Sequence, residues 1–198
     1  MNTHTPVWLN PVTLEDWPVQ AIQSNSLRYA LSLHQEWDST PQHNETPLEK
    51  EHIYRGIYPS DCLCVSFMEQ AAPSSNLQNW AEAMVRLTGF PIQALHLHDD
   101  EPPKLLEWRY EGTYPLVTKR LEVDEAHVYQ GLAMLHGRPP ELVRFYILLA
   151  RRGQFAWKVS LAFSSACLPG CATEMVTAND HVRAGATFGS LQFLTVTD

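Results

Sequence analysis

The stretch "RFYILLARRGQFAWKVSLAFSS", residues 144–165, decides the fold. In its second half, large apolar side chains recur at every second residue from Phe155 to Phe163, with alanine, lysine and serine between them. A period of two places alternate side chains on opposite faces of a strand, so one face is expected to be buried. The first half alternates in the same way, and "ARRGQ" between the halves has the length and the glycine of a hairpin turn. The stretch therefore predicts a β-hairpin whose basic turn is exposed to solvent.

Three segments before the hairpin also have the pattern of strands: residues 91–100, 105–112 and 127–137. Consecutive strands with short connections favour an antiparallel meander. Nearer the N-terminus, residues 28–37 and 62–68 alternate as well. We expect these two early strands to pair with each other.

Two longer helices are predicted from apolar residues at helical spacing. The first lies within residues 74–89, begins near Ser75 and ends at Gly89. The second begins at Thr177 or Asn179 and is followed by a short strand in "SLQFL". This order of elements predicts an α+β fold in which helices pack on an antiparallel meander sheet.

The length of the chain favours a single domain over residues 1–198. We expect residues 1–26 to be an N-terminal extension and residues 38–61, which are polar and rich in proline, to be an inserted loop. Inside that loop, "TPLE" has the residues of a capping box with proline at the first helical position. It predicts a short helix from about Pro47 to Tyr54.

Charge and composition exclude several classes of partner. The chain has 14 Lys or Arg, 22 Asp or Glu and a net charge of −8, which repels phosphate backbones and anionic lipids. We therefore expect neither nucleic acid nor membrane insertion. The N-terminal residues have no basic region and no apolar run, which predicts a cytoplasmic location. The cysteines are expected to be free thiols; they are Cys62, Cys64, Cys167 and Cys171.

Few residues suggest chemistry. His96 and His98 could bind one metal ion from a shared strand face, but an ordinary solvated strand edge is the favoured interpretation. The spacing of the cysteines does not fit a structural zinc site. No nucleophile elbow, phosphate-binding loop or zinc-protease motif occurs. The sequence therefore predicts no catalytic residue and no cofactor, and we do not expect an enzyme.

Three segments resemble the Mog1/PsbP-like superfamily, especially its DcrB and Eag-type branch. They are "CLCVSFMEQAAPSSNLQNWAEAMVRL" at residues 62–87, the hairpin over residues 144–163 and "GSLQFL" at residues 189–194. The resemblance implies a Mog1/PsbP-like α+β fold and a non-enzymatic scaffold that binds other proteins. It also implies a role like that of Eag-type chaperones, which hold apolar segments of type VI secretion effectors.

We therefore expect a cytoplasmic chaperone or adaptor that holds a segment of a secreted effector or a complex subunit against an apolar sheet face or edge. The candidate partner-binding residues are Trp37, Tyr129, Leu132, Met134 and Trp17. Two alternatives stay open. The chain could be an immunity protein whose acidic surface neutralises a toxin, or a metal-dependent enzyme that uses His96 and His98. The sequence leaves a homodimer open as well.

Overall fold

The described residues form two antiparallel sheets. The computed structural model describes residues 7–9, 18–46, 49–56, 58, 60–69, 77–79, 82, 92, 103–136, 141–164 and 173–195, with the backbone alone for Val7 and residues 173–179. Its strands are β1 (Val19–Ser24), β2 (Tyr29–His34), β3 (Gln42–Glu45), β4 (Lys50–Arg55), β5 (Cys62–Met68), β6 (Lys104–Gly112), β7 (Glu125–Leu135), β8 (Glu141–Arg152), β9 (Phe155–Ser164) and β10 (Gln192–Phe193). The helical elements are a 3₁₀ turn (Val7–Leu9), α1 (Pro115–Leu121) and α2 (Thr173–Ser190).

The larger sheet has seven strands in the order β3-β4-β5-β9-β8-β7-β6, and the smaller has three in the order β1-β2-β10. Strands β6, β7, β8 and β9 are neighbours in chain order, and each pair is antiparallel. The expected pairing of the two early strands is wrong. Strand β2 pairs with β1 and β10, whereas β5 pairs with β4 and β9.

The predicted hairpin over residues 144–165 is confirmed. Strands β8 and β9 pair from Val143 opposite Ser164 to Arg152 opposite Phe155. The turn depends on Gly153, which has a left-handed φ of 57°. Its basic residues are less free than expected, because the guanidinium of Arg152 donates to the carbonyl oxygens of Leu121 (2.8 Å) and Glu122 (2.6 Å) at the end of α1. A cation at this place also complements the negative end of the helix.

The expectation of one buried face on the hairpin is wrong, because both faces are buried. Every residue of β9 from Ala156 to Phe163 is buried, as is every residue of β8 from Phe145 to Ala150. On the second face, Lys158 pairs with Glu49 at 3.6 Å, whereas the buried hydroxyl of Ser160 has no hydrogen-bond partner among the described residues. The large sheet is therefore a middle layer and not a half-solvated one.

One face of the large sheet is covered by the small sheet, α2 and the 3₁₀ turn, which share one hydrophobic core with it. Trp157 of β9 joins the layers. Its indole N–H donates to the carbonyl oxygen of Leu27 at 2.8 Å, and its ring stacks on Phe193 of β10 with centroids 4.4 Å apart. On the opposite face, a second core includes Leu77 and Ile92. Strands β1 and β2 on one face, and Leu77 and Ile92 on the other, are distant in sequence from the hairpin that they cover.

A buried polar network also joins the two sheets. The hydroxyl of Tyr29 on β2 is hydrogen-bonded to the hydroxyl of Tyr54 (2.5 Å) and to Nδ1 of His52 (3.1 Å), both on β4. Burial is the main cause that lowers the pKa of His52 to about 4, and the charge of nearby His43 adds to it. His52 is therefore neutral at pH 7.

Asp61 fixes the start of β5 to the rest of the sheet. Its side chain is fully buried. The backbone N–H of Ser164 donates to its Oδ1 at 2.8 Å, and Arg183 of α2 donates to its Oδ2 at 3.0 Å. The guanidinium of Arg183 also lies 4.1 Å from the centre of the Phe163 ring. Burial raises the pKa of Asp61, while these donors act in the opposite direction.

Two predicted loops contain strands. Residues 38–61, expected to be an inserted loop with a short helix, contain β3 and β4, because Ile53 and Tyr54 complete ladders with β3 and β5. Residues 1–26, expected to be an extension, include β1 and a 3₁₀ turn whose Trp8 is buried against α2. In β4, pairing with β3 and β5 overrides the helix that the capping-box residues predict from about Pro47 to Tyr54.

The C-terminal elements agree with expectation in type. Helix α2 begins at Thr173, earlier than predicted, and the short strand β10 follows it. In α2, Phe188 is buried, whereas Val182 and Ala186 are half-buried. Residues 77–79 are helical, but most of the helix predicted over residues 74–89 and most of the strand predicted over residues 91–100 lie outside the described residues. Within the described ranges, no helix is long and apolar enough to span a membrane.

We predict that stability falls as the pH is lowered from about 6.5 to about 4, with His52 as one identifiable cause. The unfolded chain takes up a proton on His52 in this window and the folded chain does not, so the contribution is lost below it. The loss from this group is on the order of 3 kcal/mol. Urea unfolding at several pH values measures it. His52→Asn should remove this component and His43→Asn should keep most of it; an unchanged slope in His52→Asn would show the assignment to be wrong.

We also predict that Arg183→Met lowers the free energy of unfolding by about 3–5 kcal/mol, because it leaves Asp61 charged and buried without its cation. The double variant Asp61→Asn/Arg183→Met should recover part of this loss. Arg109→Met is the matched control, since that arginine is also ion-paired but its side chain is 63% exposed, and it should cost less than about 1 kcal/mol. Chemical denaturation compares the four proteins. Equal losses in Arg183→Met and Arg109→Met would contradict the prediction.

Candidate functional site

Strand β6 lies at one end of the large sheet, and among the described residues only β7 pairs with it. This edge exposes large apolar side chains: Leu106 is 46% exposed and Tyr110 is 41% exposed. At the opposite end of the sheet, β3 is exposed along its whole length and has only polar residues, Gln42–Glu45. The two ends of the sheet therefore differ in chemistry, and only the β6 end is apolar.

Two irregularities shape this edge. The register of β6 against β7 shifts between Leu105 and Glu107 and again between Tyr110 and Gly112. Between the shifts, residues 107–110 pair regularly with residues 132–129. Bulges of this kind shorten the regular part of an exposed strand and limit unwanted pairing. The regular window of the edge is therefore Glu107 to Tyr110.

An aromatic stack with residues of β7 and β8 holds the side chain of Trp108 in this window. Trp108 stacks on Tyr129 of β7 with centroids 4.8 Å apart and an interplanar angle of 12°, and on Phe145 of β8 at 5.9 Å. The stack needs the glycine that lies opposite Trp108. A Cβ atom at Gly131 would lie 2.3 Å from Cζ of Phe145 and 2.4 Å from the carbonyl oxygen of Glu107. Gly131 thus leaves room for both the aromatic ring and the backbone of β6.

Tyr110 is held by a chain of hydrogen bonds. Its hydroxyl lies 2.9 Å from Nδ1 of His127, and Nε2 of His127 lies 2.5 Å from Oε1 of Glu125. Arg151 pairs with the other oxygen of Glu125. A carboxylate can only accept, so Nε2 of His127 donates to Glu125, and Nδ1 of the same ring forms the hydrogen bond with the Tyr110 hydroxyl. The chain fixes the orientation of a half-exposed aromatic ring.

The same chain has the order carboxylate, imidazole and hydroxyl that activates nucleophiles in hydrolases. In this protein the hydroxyl group of the chain is the phenol of Tyr110, and its acidity decides whether it could act as a nucleophile. Burial raises the pKa of Tyr110, and the negative charge of Glu125 adds to this rise. The phenol therefore keeps its proton at neutral pH. The arrangement is suited to positioning the ring and not to generating a phenolate.

Charged side chains lie on the other face of the same window. Glu107 and Arg109 are exposed, opposite Leu132 and Gln130 of β7. Nε of Arg109 lies 2.9 Å from Oε1 of Glu111. The edge therefore presents an acidic and a basic side chain two residues apart.

The structure places two of the sequence-predicted partner residues in the core. Trp37, expected to stay partly exposed, is 5% exposed and packs edge-on against Phe163. Tyr129, on a face expected to be uncovered, is 1% exposed. Both side chains are buried because distant segments cover them, and neither is available on the surface.

Leu132 and Met134 are half-buried on β7, in pairs with Glu107 and Lys104 of β6. They share a sheet face with each other and lie next to the exposed edge.

Five residues considered in the sequence analysis lie outside the described residues: Trp17, His96, His98, Cys167 and Cys171. Cys62 and Cys64 are buried free thiols, as expected. No cluster of three or more potential metal ligands occurs within the described part of the chain.

Sequence reasoning missed the pairing of Tyr110 with His127 and Glu125. Glu125 and His127 are two residues apart, which places both on one face of a strand. That spacing was available as a signal, but the partner on β6 follows only from the register between β6 and β7.

Comparisons with known proteins reveal the fold. No family model matches the chain, and no curated protein matches its sequence. The solution structure of cyanobacterial PsbP (CyanoP) from Synechocystis sp. is similar to this chain with a TM-score of 0.50 at 12% identity, and the match covers 92% of this chain and 96% of that one. A crystal structure from Bacteroides thetaiotaomicron has a TM-score of 0.41 at 8% identity and covers 90% of this chain and 50% of that one. The chain therefore has a PsbP-like α+β fold; the DcrB and Eag-type branch and the link to type VI secretion receive no support.

We predict that Gly131→Ala lowers the free energy of unfolding by about 3 kcal/mol, because the new methyl group meets the Phe145 ring and the backbone of β6. Gly153→Ala carries the same chemical change to a site with no atom within 4 Å, where only the left-handed backbone opposes it, and should cost about 1 kcal/mol. Thermal and urea unfolding compare the two variants. A smaller loss for Gly131→Ala than for Gly153→Ala would contradict the packing argument.

Proposed function

We propose that this protein is a non-enzymatic protein-binding module, and that it binds an extended segment of a partner polypeptide along the outer edge of β6. The observation that carries the proposal is the exposure of Leu106 and Tyr110 on an edge strand with no described neighbour on its outer side. Exposed strand edges bind peptides by main-chain hydrogen bonds, while alternate side chains determine which peptide fits. The PsbP-like fold supports the proposal as a scaffold only.

The edge is preferred to a sheet face because the faces are already covered. Residues of β8 and β9 are buried on both sides, so an apolar partner cannot lie across the middle of the sheet without displacing part of the core. At β6, by contrast, a partner strand extends the existing sheet. The proposal therefore keeps the chaperone or adaptor role in the cytoplasm that the sequence predicts, and moves the contact from the face to the edge.

The rigidity of the edge favours binding. The ring of Tyr110 is fixed by His127 and Glu125, and Trp108 is fixed by two aromatic stacks. A side chain that is already ordered loses little conformational entropy when a partner binds. Half-exposed aromatic residues supported in this way are typical anchors of protein interfaces.

We predict that a photo-crosslinking amino acid at position 106 forms adducts with another polypeptide in the native host. The same amino acid at position 116 is the matched control, because Leu116 is also exposed, at 64%, but lies on α1 and not on the edge strand. Mass spectrometry of the adducts identifies the partner segment. In a second arm, Leu106→Asp should abolish crosslinking from position 110, and Leu116→Asp should not.

Two results would contradict the proposal. Equal crosslinking from positions 106 and 116 would indicate contact by chance, and specific adducts from position 116 alone would assign binding to α1. Each variant should first show wild-type unfolding, since both leucines are exposed and their replacement is expected to change stability by less than about 0.5 kcal/mol.

A further inference from the structure

The order of side chains along β6 is self-complementary. Residues 106–110 read "LEWRY", that is apolar, acidic, aromatic, basic and aromatic. In an antiparallel pair centred on the third residue, the first residue of one strand lies opposite the fifth residue of the other. An acidic residue then meets a basic one, and an apolar residue meets an aromatic one. The strand that best matches this edge therefore has the chemistry of β6 itself.

We infer that, in the absence of another partner, a second copy of this chain binds along β6, with the two copies related by a two-fold axis at Trp108. The inference rests on the proposed function, because it requires that the β6 edge accepts a strand. The axis places Glu107 opposite Arg109 of the second copy twice, and Trp108 opposite Trp108 of the second copy, all within the regular window 107–110; Leu106 lies at a register shift just outside that window. An interface of this kind is isologous and closes at two copies.

The side chains needed for these contacts are in place. Glu107 and Arg109 pair with residues of β7 that share one face of the sheet, and both are exposed there. A two-fold axis perpendicular to the sheet keeps them on that face, so the opposite charges meet on the same side. Arg109 already pairs with Glu111 through Nε, but a guanidinium has five N–H donors and can also pair with a second carboxylate.

The contact is short. The register shifts on either side of residues 107–110 limit regular pairing to the window that holds the complementary charges. A small interface of this kind binds weakly and depends on ionic strength, because its ion pairs are exposed. A partner segment with a longer match can therefore displace the second copy.

Sedimentation equilibrium of the full chain and four charge variants tests the inference. The wild-type protein should form a dimer whose dissociation constant rises with salt. Glu107→Arg and Arg109→Glu should each weaken dimerisation by at least about tenfold, because like charges then lie opposite each other twice. An equimolar mixture of these two variants should associate, and Glu107→Arg/Arg109→Glu should dimerise alone. Glu45→Arg is the matched control on β3, where a 70% exposed glutamate is reversed far from the two-fold axis, and it should dimerise like the wild type.

A fluorescent peptide with the sequence "KLLEWRYEG" of residues 104–112 separates this inference from the proposed function. If the protein dimerises and the peptide competes with the dimer, both are supported. If the protein is a monomer at every concentration but binds the peptide, the second copy is ruled out and the edge function stands. If the protein is a monomer and the peptide does not bind, the second copy is ruled out, and the crosslinking from positions 106 and 116 alone decides the edge function. A dimer that Glu107→Arg leaves unchanged, or variants that do not associate when mixed, would overturn the two-fold arrangement.

Discussion

The burial of the central hairpin on both faces is the constraint on which the rest of the structure depends. From Phe145 to Ala150, strand β8 has no residue that is measurably exposed, so each face of the large sheet requires its own cover. One cover is assembled from both ends of the described chain, since β1, β2, α2 and β10 share a core with one face. The other includes Leu77 and Ile92 from the middle of the sequence. Because main-chain groups in the centre are already paired and side chains on both faces are already packed, a new polypeptide can extend this sheet only at its ends.

The sequence predicts the hairpin well because alternation and turn chemistry are local properties of residues 144–165. It does not predict how many faces are buried. Lys158 and Ser160 occupy alternate positions that normally face solvent, yet Lys158 is 3% exposed and has Glu49 as a partner. Pattern alone cannot distinguish a polar residue in water from one that is satisfied internally. The capping-box residues were misleading for a related reason. Thr46 and Glu49 do hydrogen-bond to each other, but they do so across the turn between β3 and β4.

The candidate site is predictable only in part. The strand over residues 105–112 follows from sequence, but the exposure of Leu106 and Tyr110 does not, because alternation places them on the same face as Trp108, which packs against the core. The bulges, the stack on Tyr129 and the hydrogen bond from Tyr110 to His127 depend on the register between β6 and β7, which no local signal determines. Trp37 is an error of the opposite kind, because the sequence predicts a surface residue and the structure buries it. Its neighbours in sequence are polar, but it is covered by Phe163 and lies so close to Gly56 that a Cβ atom there would be 2.9 Å from its ring.

The chemical difference between the two ends of the large sheet has a consequence for growth beyond a single pair. Stacking molecules head to tail would place the apolar side chains of β6 beside Gln42–Glu45 of β3, which are wholly polar and exposed. Neither apolar contact nor a matching ladder of charges favours that junction, so we do not expect the sheet to propagate into a fibre. If the β6 edge binds a strand as proposed, the polar β3 end offers no second edge of the same chemistry, and assembly is expected to end after one pair.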